Sequence, residues 1–274
     1  MLIRKIAQGV VSLWRAFKTQ GCGLSYITTA SIALLLNRRK MDFLGKKLEY
    51  DAYLTPFFLH SFIPEINRFI IDPSRCPNPV VLDIGANFGG WAHTLTRLVP
   101  SATIYSFEPN PHIYALLNKN CAGNPNWKAY NFGIYFEDLE KKFYFVPGKS
   151  AQGSIHKENS NLDLLGAGGP QIIDVALRSF TSTAPFAQGV RHFDYVKVDV
   201  EGAELEVLRG LIAISWSYLY VEATRGDQRI GSNVEDVMDL ITEQWGEVHV
   251  LLKRENSDYT VDLIVKSQNI SCRG

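Results

Sequence analysis

The sequence is poor in cysteine, has no excess of either charge and contains no apolar run long enough to span a membrane. Its four cysteines lie far apart, with no C-x-x-C pair and no histidine at zinc-ligand spacing, so neither a disulfide framework nor a structural metal site is predicted. Basic and acidic residues number 28 each, so no overall field draws the protein to nucleic acid. We therefore expect reduced thiols, a cytoplasmic location and no nucleic-acid partner.

The amino-terminal part has a different pattern from the rest of the chain. Residues 3–17 carry hydrophobic side chains at helical spacing with basic residues among them. Such a helix can pack on its own domain, which we favour, or make peripheral contact with a membrane surface. The apolar run at 24–36 is shorter than the roughly 20 residues of a transmembrane helix, and no signal peptide is predicted. Because prolines cluster at 73–79, we predict a helical extension over residues 1–75, including a helix at 54–71, and a main domain over 76–274.

In the main domain, apolar runs of strand length alternate with helical patterns. This alternation predicts an α/β fold with a doubly wound, mostly parallel sheet. A carboxyl-terminal antiparallel hairpin is expected to close it. The predicted strands are 80–84, 103–107, 127–136, 142–146, 171–177, 195–200, 216–222, 247–252 and 259–265, and the predicted helices are 91–98, 112–120, 203–209 and 234–244. Sheets of this kind bind ligands beyond the carboxyl ends of their strands.

A first polar cluster follows the first of these strands, where residues 81–90 read VLDIGANFGG. Gly85 lets the backbone turn sharply and lets a ligand pass over it, so a larger residue there is expected to abolish binding and spare the fold. The spacing is not the G-x-G-x-x-G of a dinucleotide site, and the carboxylate of Asp83 suits a cationic ligand better than a pyrophosphate. We predict cofactor contacts at Asp83, Gly85, Asn87 and Gly89; the alternative is a turn that binds nothing.

A second cluster, Glu108 and Asn110, follows the second strand. Glu108 comes 18 positions after Gly90 (108 − 90), close to the spacing of about 20 at which an acid grips ribose hydroxyls in doubly wound folds. A carboxylate accepts two hydrogen bonds from a vicinal diol. Both residues are therefore predicted to bind a cofactor, although a solvated glutamate at a strand end would look the same.

A third cluster lies in residues 194–204, which read DYVKVDVEGAE. Lys197, Asp199 and Glu201 share one face of a strand, and three charges on a buried strand are costly unless they are paired or functional. We predict Asp199 and Glu201 to be catalytic, beside Gly85 at the mouth of the sheet. In the alternative, Lys197 pairs with Asp199, and Glu201 and Glu204 serve only to stabilise the amino terminus of the following helix.

In this order, the three clusters resemble the FkbM family of S-adenosylmethionine (SAM)-dependent methyltransferases. The matching stretches are 82–89, 107–111, 197–204 and 208–210. The chain departs from the family at Leu177-Arg178, where a Leu-Asp pair is usual. The resemblance implies a Rossmann-like class I methyltransferase fold with seven strands, SAM as the methyl donor and O-methylation, often of a sugar, glycan or glycosylated metabolite.

A hydroxyl acceptor needs a base, because its own pKa lies far above neutrality. The candidates are Asp199, which we prefer, Glu201 and His156; residues 153–156 are also expected to form a lid over the acceptor. A divalent cation held by Asp199 and Glu201 is the alternative way to lower the pKa of the acceptor. Two rival functions are an NAD(P)-dependent oxidoreductase and a non-catalytic scaffold that resembles a SAM-binding protein. Asp83 and the absence of a G-x-G-x-x-G motif argue against the oxidoreductase, and the retention of Asp83, Glu108 and Asp199 argues against the scaffold.

Overall fold

The computed structural model describes residues 40–43, 46–50, 76–148, 153–159, 171–224, 232–255 and 260–268. Its strands are β1 (Lys40–Phe43), β2 (Lys46–Glu49), β3 (Val80–Ile84), β4 (Thr103–Phe107), β5 (Trp127–Tyr130), β6 (Gly133–Ile134), β7 (Leu139–Phe145), β8 (Gln171–Arg178), β9 (His192–Val198), β10 (Ser215–Thr224), β11 (Val248–Glu255) and β12 (Thr260–Ser267). Its helices are α1 (Gly90–Leu98), α2 (Pro111–Cys121), α3 (Ala184–Ala187), α4 (Glu204–Gly210) and α5 (Val234–Trp245), with a short 3₁₀ turn at Phe180–Ser182.

A seven-stranded sheet in the order β11-β12-β10-β9-β3-β4-β5 forms the centre of the molecule. Strands β5, β4, β3, β9 and β10 are mutually parallel, whereas β12 is antiparallel to both of its neighbours. The chain starts in the middle at β3, moves outwards to β5 and then returns to β9 on the other side. The predicted doubly wound sheet and its closing hairpin are confirmed. The reversal of strand order between β3 and β9 is where such sheets bind ligands.

Both faces of this sheet are covered, which explains why its central strands are apolar throughout. Leu82 of β3 belongs to a core cluster that it shares with α4 and α5, and the adjacent Val81 packs on the other face with α1 and α2. Every residue of β9 is buried. A polar side chain on β3 or β9 therefore needs a partner inside the sheet or a place at its carboxyl edge.

A second, three-stranded sheet has the order β6-β8-β7. The sequence pattern predicted one strand over residues 127–136, but the chain breaks after Tyr130, and β6 joins the second sheet. Gly133 allows this, because a Cβ there would lie only 2.7 Å from a methyl carbon of Leu177. Side chains of β7 and β8, with Tyr135, form a small core of their own.

Strands β1 and β2 pair in an antiparallel hairpin, so the residues of these two strands, which fall in the predicted helical extension, are not helical. Its buried residues Met41 and Leu48, together with Tyr50, pack against Phe88 and Ile113 of the main domain. The other predicted elements of the extension, at 3–17 and 54–71, lie outside the described residues. Among the helices that the structure describes, none has the length and apolar character needed to cross a membrane.

Candidate cofactor and acceptor site

The turn between β3 and α1 depends on left-handed backbone at three positions, Gly85 (φ 77°), Asn87 (φ 52°) and Gly89 (φ 86°). A Cβ on Gly85 would overlap the backbone carbonyl of Asp199, and one on Gly89 would lie within 2.9 Å of the side chains of Leu117 and Trp127. The expectation that a larger residue at Gly85 spares the fold is therefore wrong. This glycine lets two loops of the protein meet, whatever it does for a ligand.

Glu108 joins the first and second sequence clusters. One carboxylate oxygen accepts the backbone N–H of Asn87 at 2.9 Å, and the other accepts that of Asn110 at 2.9 Å. Asn110 caps α2 by accepting the backbone N–H of His112 at 3.0 Å. Glu108 is only 7% exposed, at the carboxyl end of β4. Because a carboxylate has about four lone-pair sites, these two bonds are compatible with binding a ribose diol as well.

Asp83 lies beneath the turn and not at its surface, with no exposed area. The hydroxyl of Ser106 donates to its carboxylate at 3.1 Å, and the indole N–H of Trp127 donates to that hydroxyl at 2.9 Å. Burial raises the pKa of Asp83, an effect that the nearby ammonium of Lys197 and the bond from Ser106 oppose. Direct contact between this carboxylate and a cofactor stays a prediction.

Lys197 connects Asp83 to the third cluster. Its Nζ lies 2.8 Å from Asp199 Oδ2 and 4.0 Å from Asp83 Oδ1. The ion pair that the sequence offered as a structural alternative thus exists. The Asp199 side chain is nevertheless 33% exposed, while that of Lys197 is 6% exposed, so Asp199 is accessible at the mouth of the sheet. The backbone N–H of Asp199 donates to the carbonyl of Ile84 at 3.1 Å, which holds the loop against β3.

Three half-buried carboxylates meet at this mouth. One oxygen each from Asp199, Glu201 and Glu222 lies within 4.8 Å of the others. Glu222, near the carboxyl end of β10, was not singled out from the sequence, although its place at the end of a predicted strand is the same signal that marked Glu108. A set of oxygen ligands like this suits a hard divalent cation.

Two further titratable groups lie near this loop. Glu204 is fully buried, one of its oxygens accepts the backbone N–H of Gly202 at 2.8 Å, and burial raises its pKa to about 8. His156 is half-buried, and burial is the main reason why its pKa is lowered. Glu204 is therefore mostly protonated at neutral pH, whereas His156 is neutral there.

A family model identifies the family of this chain, and the fold agrees with it. The family model for the methyltransferase FkbM domain matches residues 83–253, more than half of the chain. The chain belongs to the FkbM methyltransferase family. The predicted family is thereby confirmed, as is the Rossmann-like class I methyltransferase fold that its strand order shows.

Three curated relatives illustrate the family. Methyltransferase sdnD of Sordaria araneosa is 33% identical over 162 residues, which cover 51% of this chain and 62% of that protein. The 2-O-methyltransferase NoeI of Sinorhizobium fredii is 29% identical over 53% of this chain and 63% of its own length. The hexuronic acid methyltransferase AglP of Haloferax volcanii is 24% identical over 72% of this chain and 75% of its own. The matches to sdnD and NoeI thus span less than two thirds of those proteins, and none of the three supports the oxidoreductase or the scaffold alternative.

Proposed function

We propose that this FkbM-family protein is a SAM-dependent O-methyltransferase that acts on a hydroxyl of a sugar, glycan or glycosylated metabolite. The observation that carries the proposal is the meeting of all three clusters at one place. The Asn87–Glu108–Asn110 network and the Asp199–Glu201 loop lie together where strand order reverses between β3 and β9. The names of NoeI and AglP, one a 2-O-methyltransferase and one a hexuronic acid methyltransferase, support a sugar hydroxyl as the acceptor.

In this proposal one half of the site binds the cofactor and the other activates the acceptor. Glu108 and Asn110 would bind the ribose, and the backbone from Gly85 to Gly89 would contact the rest of the cofactor. When bound, SAM would supply a methyl group attached to a positively charged sulfur: the acceptor oxygen would bond to the methyl carbon in line as the carbon–sulfur bond breaks, and neutral S-adenosylhomocysteine would leave. Asp199, half-buried at the mouth, would take the proton of that oxygen; Lys197 holds its carboxylate, and the backbone bond to Ile84 holds the loop that carries it.

A cation is the second way in which the same residues can activate the acceptor. Asp199, Glu201 and Glu222 would hold it, and its charge would lower the pKa of the acceptor hydroxyl. The ammonium of Lys197, 2.8 Å from Asp199, competes with a cation for that carboxylate. For this reason we favour Asp199 as a general base.

One assay separates the two mechanisms. Methyl transfer from labelled SAM to a panel of sugars and hexuronic acids is measured for the wild type and for Asp199→Asn, with and without a chelator. We expect transfer that is insensitive to chelator. The Asn variant should be slower by about 10²–10⁴-fold with nearly unchanged SAM affinity, because its amide accepts no proton. The exposed Asp239 on α5, changed to Asn, is the matched control.

Other outcomes would redirect or end the proposal. Inactivation by chelator and recovery with magnesium or manganese would assign the carboxylates to a cation. An Asn variant as fast as the wild type under both conditions would leave Asp199 only as the partner of Lys197. SAM binding without transfer to any hydroxyl acceptor would contradict the proposed acceptor class.

A further inference from the structure

Glu201 has an unusual backbone conformation. Its φ is 56°, and among the described residues Asn87 is the other non-glycine with positive φ. Asparagine tolerates the left-handed region comparatively well, whereas glutamate rarely occupies it. Such a conformation persists where surrounding contacts enforce it.

Two buried side chains hold the carbonyl group of Glu201. The hydroxyl of Ser154 donates to this oxygen at 2.7 Å, and the side-chain N–H of Asn159 donates to it at 3.0 Å. Ser154 and Asn159 are 0% and 1% exposed, so water competes little for either bond. The Ser154 oxygen also accepts the backbone N–H of His156 at 3.0 Å, which leaves its own proton directed at Glu201.

The segment 153–159 is itself fixed to the second sheet. Ser154 and Tyr144 of β7 exchange two backbone hydrogen bonds, of 2.8 and 3.0 Å. The ring of Phe143 would lie only 2.6 Å from a Cβ on Gly153, so this approach is close. Strand β7 in turn pairs with β8 along its whole length. The second sheet thus supports the segment that carries the two donors, through Ser154.

We infer that Ser154 and Asn159 are positioning residues that hold the carboxylate of Glu201 in the acceptor site. A negative φ at Glu201 would turn its Cα–Cβ bond and move the carboxylate away from Asp199 and Glu222, with which it now lies within 4.8 Å. The inference rests on the proposed function, in which this mouth receives the acceptor. It gives residues 153–159 a task other than the expected lid.

The test removes the two donors singly and together, as Ser154→Ala, Asn159→Ala and the double variant. Because either donor alone still holds the carbonyl, we expect small effects from the single variants and a double effect larger than their product. The double variant should lose roughly 10–100-fold in kcat, the scale of a small misplacement at a reacting centre. SAM affinity, measured by calorimetry, should change less than about twofold, because the cofactor contacts lie on other loops.

A matched control is Thr183→Ala. Its hydroxyl is also buried and donates to a backbone carbonyl, that of Phe180 at 2.6 Å, but in another loop. The Thr183→Ala variant should leave kcat unchanged, although its melting temperature should fall by about as much as that of the double variant. Equal losses of kcat in the control and in the double variant would overturn the inference, since general destabilisation would then explain both.

Amide hydrogen exchange gives a readout that does not need an acceptor. Peptides covering residues 199–204 should exchange faster in the double variant than in the wild type or in Thr183→Ala. Unchanged exchange overturns the inference, whatever the activity. If the wild type methylates no sugar of the panel, the proposed function fails, while the exchange result still decides whether the two donors hold the loop. Faster exchange with unchanged kcat also overturns the inference, because Glu201 would then be held but not used.

Discussion

Glu108 combines a structural and a binding task in one side chain. It fixes the turn after β3 through Asn87 and the start of α2 through Asn110, and it is the residue that we expect to hold the ribose of SAM. In Glu108→Gln, one oxygen becomes an amide N–H₂ that faces a backbone N–H, so one bond is lost and the negative charge with it. Hydrogen bonds to charged groups contribute about 1.5–3 kcal/mol. Because a ribose hydroxyl would then meet a neutral amide in place of the carboxylate, SAM affinity should fall roughly 10–100-fold.

Calorimetry with SAM checks this prediction. The exposed Glu137, changed to Gln, serves as the control for the change of charge. Equal SAM affinity in Glu108→Gln and in the wild type would take Glu108 out of the cofactor site.

Glu204 makes the stability of the protein depend on pH. Burial raises its pKa to about 8 in the folded state from 4.5. Below pH 4.5 both states are protonated. As pH rises further, the unfolded chain releases this proton first, so the group lowers the free energy of unfolding by about 1.4 kcal/mol per pH unit until the folded pKa is passed. In Glu204→Gln the amide oxygen can still accept the N–H of Gly202, and the side chain at this position no longer titrates.

Denaturant unfolding between pH 5 and pH 9 measures the effect. The Gln variant should gain stability relative to the wild type as pH rises and should level off above pH 8. Asp83, whose pKa burial also raises, is present in both proteins and cancels in the comparison. Glu243→Gln, at an exposed position of α5, is the control. Parallel pH curves for Glu204→Gln and the wild type would show that Glu204 ionises normally.

The sequence predicts a functional residue when a local pattern marks it, and fails when its role depends on a partner far along the chain. Glu108 and Asp199 follow predicted strands, so their meeting at one edge of the sheet could be expected. The hydrogen bonds from Ser154 and Asn159 to Glu201 span 47 and 42 positions, and no local pattern predicts them. The role of Gly85 was misjudged for the same reason, because the carbonyl that excludes its side chain belongs to Asp199.

At the scale of elements, α4 ends in Gly210, where the backbone of Tyr135 leaves no room for a side chain. A Cβ on Gly210 would overlap the backbone carbonyl of Tyr135, in the chain that leads from β6 to β7. Alanine favours a helix interior over glycine by about 1 kcal/mol, so helix propensity alone predicts that Gly210→Ala is stabilising. Overlap with a backbone atom forces a shift that typically costs 1–3 kcal/mol, and we expect net destabilisation.

Denaturant unfolding of Gly210→Ala decides between helix propensity and overlap, because they change the free energy of unfolding in opposite directions. Asn118→Ala, at an exposed position of α2, is the control, and should be neutral or slightly stabilising because alanine has the higher helix propensity. A Gly210→Ala variant more stable than the wild type would mean that α4 and Tyr135 do not lie in contact.

Elements were predictable where burial alone defines them. Strands β3 and β4 have the predicted bounds, 80–84 and 103–107, because both are buried on two faces and flanked by turns. The predicted strand at 127–136 failed because its break is a tertiary feature. Tyr130 stacks on Phe107 in the central sheet, whereas Gly133 approaches Leu177 in the second sheet. The hairpin of β1 and β2 was missed because its buried face is completed by residues of the main domain.

At the scale of the whole molecule, that hairpin links the amino-terminal part to the cofactor turn. The Asn120 side chain accepts the backbone N–H of Glu49 at 2.8 Å and donates to the carbonyls of Glu49 and Phe88, both at 2.8 Å. Phe88 directly follows Asn87, whose N–H Glu108 accepts. The boundary predicted at residues 75 and 76 therefore separates two segments that share a hydrogen-bonded and apolar contact.

This contact predicts different outcomes for two truncations. Removing residues 1–39 keeps the whole hairpin and should leave SAM affinity nearly unchanged. Removing residues 1–75 strips Met41, Leu48 and Tyr50 from Phe88, so both melting temperature and SAM affinity should fall. Leu48→Ala in the full chain tests the same contact without truncation, and should cost about 2–5 kcal/mol because Leu48 is fully buried. Calorimetry and thermal melts compare all three. Equal melting temperatures and SAM affinities for the two truncations would show that the hairpin does not support the cofactor turn.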